Sequence, residues 1–135
     1  MTGAPPINGV VAMLHVADVG KSAAFYKLLG FEIGNQVPKN GQPHWAWLYS
    51  PSVPDWRRGP NLMLTRTSRP LQPEAQDVLF YLYANDLVAM REKLLLNGTK
   101  VSEITYPDYL PKGEFQTHDP DGYCLIFAQS SDDTP

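Results

Sequence analysis

His15, His44, His118, Glu114 and Cys124 are the side chains that could ligate a metal or carry a proton here. A divalent metal needs imidazole, carboxylate or thiolate donors converging on one point. His15, His44 and Glu114 have the right chemistry. His44, however, directly precedes Trp45, and a regular strand turns neighbouring side chains to opposite faces. Trp45, Trp47 and Tyr49 therefore share one face and His44 takes the other. Proton transfer without a metal is the second chemistry, with Glu114 or a histidine as base and tyrosine hydroxyls steadying an oxyanion. A third pattern is aromatic and soft. Trp45, Trp47 and Tyr49 alternate, as do Tyr81 and Tyr83, and Met13 and Met63 lie in other apolar runs. Such side chains grip flat or greasy molecules by stacking and adaptable packing.

The elements that must position these residues have to fit in 135 residues, the size of one domain with a real core. Hydrophobic residues make up 43% and charged residues 19%, which excludes a disordered chain. The net charge is −3, and the adjacent basic pair Arg57-Arg58 makes no positive stripe, so nucleic acid is not expected as a partner. No apolar run approaches the roughly 20 residues of a membrane helix, and no membrane partner is expected. "MTGAPPING" lacks the charged start and apolar stretch of a secretory signal. Cys124 has no cysteine to pair with inside the chain, which fits a reducing, cytoplasmic setting. The ends, "MTGAPP" and "SSDDTP", read as frayed tails.

The chain repeats itself. "VVAMLHVADVGKSAAFYKLLGFEI" aligns with "VLFYLYANDLVAMREKLLLNGTKV", placing Asp18 on Asp86, Val19 on Leu87, Gly30 on Gly98 and Ile33 on Val101. Each copy opens with an apolar strand, 10–16 or 78–83. Asp18 or Asp86 then caps a helix. Val19, Ser22, Ala23, Tyr26 and Leu29 make the buried stripe of the first helix; Leu87, Met90 and Leu94 make that of the second. Gly30 and Gly98 end the helices. Three strands follow each helix: about 31–37, 44–50 and 61–66, then about 99–104, 113–118 and 122–128. "DPDG" turns the last two, and 67–76, with its two prolines, links the copies. The order is βαβββ twice, an α+β fold. Each copy is too small to bury its own sheet well, so a single domain over 8–128, made of modules 8–66 and 77–128, is expected.

This arrangement resembles the vicinal oxygen chelate superfamily of glyoxalases, extradiol dioxygenases, and fosfomycin- and bleomycin-resistance proteins. "HVADVGKSAAFYKLLGF" and "EFQTHDPDGYCLIFAQ" carry the likeness, and the repeat extends it over nearly the whole chain. The resemblance implies that the tandem modules form a curled mixed-sheet bowl with flanking helices, and that the bowl holds the site. It also implies metal ligands at four strand positions, which here read Val11, Thr65, Leu79 and Ile126. Three are hydrocarbon and the fourth is a neutral hydroxyl. The usual metal engine is therefore expected to be missing, with no cofactor and no catalytic residue assigned, and the metal-free bleomycin-resistance-like branch is the nearest match.

Carried over from that pattern, alternation lines the bowl with Met13, His15, Trp45, Trp47, Tyr49, Met63, Tyr81 and Tyr83. Glu114, Gln116 and His118 point the same way. Tyr109, on "TYPDYLPKGEF", could close over a ligand together with Tyr106. The loop "SPSVPDWRRGPN", overlong for its hairpin and carrying Trp56, Arg57 and Arg58, reads first as a solvated surface loop and second as a lid or an arm reaching a partner. Cys124 reads as an inert buried thiol, and His15 as a wall residue rather than a metal ligand. The expected function is a metal-free binder of an aromatic or amphipathic small molecule, such as an antibiotic, working as a homodimer. The alternatives are an enzyme of isomerase or lyase type acting without the metal, and a non-catalytic protein-interaction module.

Overall fold

The computed structural model describes residues 7–131, so the expectation for the two ends falls largely outside the described residues. The chain divides into two units between Arg69 and Pro70, inside the segment expected to link the copies.

In the first unit the order is β1 (Met13–Val16), α1 (Val19–Lys27), β2 (Glu32–Val37), β3 (Trp45–Tyr49) and β4 (Asn61–Arg66). The sheet runs β1-β4-β3-β2. β1 pairs with β4 in parallel, as a strand–helix crossover requires, and the other pairs are antiparallel. Asp18 caps α1 by accepting the Lys21 amide at 2.9 Å. One helix face, Val19, Ser22, Ala23 and Tyr26, is buried as its spacing predicts. Leu29 lies past the helix end and is only half-buried. The buried stripe packs on β2, β3 and β4. There it meets the core side of the sheet, formed by Leu14, Val16, Ala46, Leu48 and Leu64.

The second unit repeats the plan with β5 (Leu79–Ala84), α2 (Leu87–Leu96), β6 (Glu114–His118) and β7 (Cys124–Gln129), in the sheet order β5-β7-β6. Asp86 caps α2 through the Ala89 amide at 3.0 Å. Leu87 and Leu94 are buried, Met90 partly so. Phe115 and Phe127 stack in the core with centroids 4.9 Å apart and planes at 5°. Gly30 and Gly98 adopt φ of 99° and 80°, the left-handed backbone that lets each chain leave its helix.

One expected element is corrected. Residues 99–104 do not form a strand; beside β6 they make one isolated bridge, Val101 to Thr117, and separate hydrogen bonds such as Ser102 N–H to Gln116 O at 2.9 Å, with a second bridge, Thr105 to Glu114, just beyond. Between these bridges the Gln116 amide donates to the Ser102 hydroxyl at 2.8 Å. A side chain takes the bond that a regular ladder would give to a carbonyl, and the ladder is interrupted. No helix of the described residues is long and apolar enough to cross a membrane.

Candidate functional site

Burial alternates along β1, with Leu14 and Val16 buried and Met13 and His15 exposed. The second pair therefore lies on the sheet face opposite α1. Register extends this face across the first unit. Met13 lies beside Met63, Met63 beside Trp47, and Trp47 beside Asn35. One row along, His15, Thr65, Trp45 and Val37 are neighbours. Tyr49 pairs with Asn61 and completes the aromatic side.

Trp47 is the hub of this face. Its ring stacks on Tyr49, with centroids 5.2 Å apart and planes at 10°. Its indole Nε1–H donates to Asn61 Oδ1 at 3.2 Å. The ring also overlies Gly34, the extra residue where the β2–β3 register shifts. A Cβ at Gly34 would run into the Trp47 six-membered ring and lie 3.0 Å from Tyr49 Cδ1. The indole can lie flat there because position 34 carries no side chain.

The loop of residues 50–61 is more than a solvated connection. Trp56 meets Trp47 edge-on, with centroids 5.1 Å apart and planes at 79°. The Arg57 guanidinium lies 4.8 Å over the Trp56 ring, which stays 40% exposed. Asn61 Nδ2 donates to the Trp56 and Gly59 carbonyls at 3.3 and 3.1 Å, so one asparagine ties the loop and the indole together. Asn61 and Gly34 were not selected by sequence reasoning, and Trp56 was noted on the loop but not placed in the site. The signal was present: a tryptophan in an overlong loop that returns to a strand edge beside Tyr49.

In the second unit the equivalent face holds three rows: Leu79, Cys124 and His118; Tyr81, Ile126 and Gln116; Tyr83, Ala128 and Glu114. Tyr81 and Tyr83 are exposed, with ring centroids 6.5 Å apart and planes at 27°. The Tyr81 hydroxyl donates to Glu114 Oε1 at 3.4 Å and also hydrogen-bonds Tyr109. Partial desolvation, then the Glu114 charge and Tyr109, push the Tyr81 phenol up to about 12. It stays a neutral donor across the physiological range. Tyr109 itself is 64% exposed on a loop whose next residue, Leu110, is buried. Two turns, Leu110 N–H to Pro107 O at 2.9 Å and Gly113 N–H to Leu110 O at 3.0 Å, fix that loop. Burial raises the Cys124 thiol, keeping it protonated and weakly nucleophilic.

His44 precedes β3 and is exposed; its amide donates to Val37 O at 2.8 Å. Among the described residues, no group of three or more His, Cys, Asp or Glu side chains is placed to hold a metal ion. Thr65 sits between His15 and Trp45, and Ile126 between Tyr81 and Gln116. With Val11 and Leu79, these residues do not fit a divalent cation.

The architecture is the glyoxalase/bleomycin resistance fold. A family model described as bleomycin resistance protein-like N-terminal matches residues 10–41. Among solved structures, a glyoxalase/bleomycin resistance protein/dioxygenase domain from a Frankia species is 17% identical, with a TM-score of 0.72 over 95% of this chain and 96% of that one. A bleomycin resistance determinant encoded on transposon Tn5 is 20% identical, with a TM-score of 0.71 over 93% and 99%. A bleomycin-binding protein from Streptomyces verticillus, solved with copper(II)-bleomycin, is 22% identical, with a TM-score of 0.62 over 95% and 100%. No curated protein matches the sequence. The resemblance to the vicinal oxygen chelate superfamily is borne out by the matched segment and by the shared fold.

Proposed function

We propose that this protein binds a flat aromatic or amphipathic small molecule without a metal, on the face built around Trp47. The observation that carries the reading is the preset aromatic corner of Trp47, Tyr49 and Trp56. Its rings are held by Asn61 and by the gap at Gly34, so little side-chain freedom is lost when a planar ligand stacks there. Met13 and Met63 adapt to its outline, and His15 offers a polar contact. Sequestration of an antibiotic is the use that the bleomycin-binding relative suggests. Residues 8–128 serve as one functional domain, and the working form is a cytoplasmic homodimer, the latter checked by sedimentation of the purified chain.

Tryptophan fluorescence tests the reading directly. Bleomycin and a panel of planar heteroaromatics are titrated into the native chain and into Trp47→Leu. Saturable quenching is expected for at least one compound, reduced roughly tenfold or more in apparent affinity by Trp47→Leu, as loss of about 1.4 kcal/mol of stacking would give. Quenching that is equal in both chains, or absent throughout the panel, would sink the proposal.

A further inference from the structure

Asparagine followed by glycine occurs three times in the chain, at 8–9, 40–41 and 97–98. Glycine has no Cβ to shield its amide, so its nitrogen can approach the side-chain carbonyl of the asparagine before it. We propose that Asn40–Gly41, in the loop between β2 and β3, is a site of spontaneous covalent modification, and that the fold withholds the same chemistry from Asn97–Gly98.

The step is a ring closure. The Gly41 nitrogen attacks Asn40 Cγ and a C–N bond forms. The Cγ–Nδ2 bond breaks, ammonia leaves, and the Gly41 amide proton passes to solvent. Water then opens the cyclic imide at either carbonyl. One opening gives aspartate. The other gives isoaspartate, whose main chain runs through the former side chain and is one carbon longer. No oxidant, reductant or cofactor takes part.

Hydrogen bonding separates the pairs. At Asn97 both reacting groups are held. The Gly98 N–H donates to Leu95 O at 3.0 Å, and Asn97 Nδ2 donates to Lys93 O at 2.9 Å. Ring closure there must first undo the end of α2. Asn40 stands differently. It is exposed, and no hydrogen bond among the described residues engages its side chain or the Gly41 N–H. Gln36 Nε2 grips this loop through carbonyls, Pro38 O at 3.0 Å, Lys39 O at 3.3 Å and Gly41 O at 3.5 Å, and leaves both reacting groups free. A Cβ at Gly41 would meet nothing within 4 Å, so the surroundings of the attacking nitrogen are open.

Asn8–Gly9 is exposed as well, with nothing within 4 Å of a Cβ at Gly9, and serves as the unprotected reference. Position 40 differs in consequence. Its loop is closed by the His44 N–H on Val37 O at 2.8 Å and joins the strands that carry Val37 and Trp45. Modification there replaces a neutral amide with one carboxylate, taking the net charge from −3 to −4. Isoaspartate also lengthens the main chain inside that closed loop. The inference holds whether or not the tryptophan face binds a ligand.

The test ages the full chain at mildly alkaline pH, folded in buffer and unfolded in guanidinium chloride. Peptide mapping by mass spectrometry follows the small mass gain as each amide becomes an acid, and enzymatic methyl transfer counts isoaspartate. In the folded chain the Asn40 and Asn8 peptides are expected to convert at nearly their unfolded rates. The Asn97 peptide is expected to convert about tenfold or more slowly than when unfolded, since its hydrogen bonds must open first. Folding that slows Asn40 as much as Asn97, or Asn97 converting as fast folded as unfolded, would overturn the proposal.

Discussion

Trp47 lies flat on Tyr49 because residue 34, beneath both, is a glycine. The β2–β3 register shift puts that glycine directly under the indole, and the two rings settle into the space with planes only 10° apart. A backbone irregularity of a single residue thus sets the shape of the aromatic face.

Gly34→Ala adds a methyl group where the Trp47 ring now lies. The indole must tilt or the strand must shift, and overpacking of this kind costs about 1–3 kcal/mol. Chemical denaturation should show that loss. The tryptophan emission spectrum should change as well, because Trp47 leaves its contact with Tyr49. An unaltered spectrum with native stability would refute the role given to Gly34.

Trp56→Leu removes the edge-on contact with Trp47 and the seat of the Arg57 guanidinium. An aromatic pair contributes about 0.5–1.5 kcal/mol beyond its buried area. Trp56 is 40% exposed, so the global unfolding midpoint should move little. The 50–61 loop should loosen, seen as faster proteolysis at Arg57 and Arg58. An unchanged cleavage rate would show that Asn61 alone holds the loop.

Tyr81 predicts an alkaline limb of stability. Its phenol in the folded chain is raised from 10.0 to about 12. Between those values the unfolded chain gives up this proton before the folded chain does, so unfolding is favoured as pH rises through the window. The contribution is fully present below about 10 and lost toward 12. Tyr81→Phe should flatten that limb in urea melts at successive pH values, at the cost of the bond to Glu114. Identical slopes in the two chains would mean that the folded chain does not raise the Tyr81 phenol.

Elemental analysis of untagged protein should find no stoichiometric zinc, nickel, manganese, iron or cobalt. Added ions should leave the melting temperature in place, because Val11, Leu79 and Ile126 offer no lone pairs and Thr65 only a neutral one. A stoichiometric ion with a raised melting temperature would overturn the metal-free reading.

What the sequence by itself determined is whatever rests on local period and end chemistry. Asp18 and Asp86 mark the helix starts because an unpaired helix amide needs an acceptor within a few residues. The alternation along 45–49 and 81–83 put the tryptophans and tyrosines on shared faces, because a strand's side-chain period leaves no other choice. The four positions without metal donors were legible only through the family resemblance, which says where ligands would stand; residue type then shows that Val11, Thr65, Leu79 and Ile126 cannot serve. Tertiary structure decided what depends on residues far apart in the chain. Trp56 found Trp47 only when the 50–61 loop folded back and Asn61 fastened it. Tyr109 reached Tyr81 only through the turn anchored by buried Leu110. The expected strand at 99–104 gave way because the Ser102 hydroxyl competed with the ladder for the Gln116 amide. Such contacts are fixed by which hydrogen bonds and ring contacts win across the fold, and no local pattern encodes that competition.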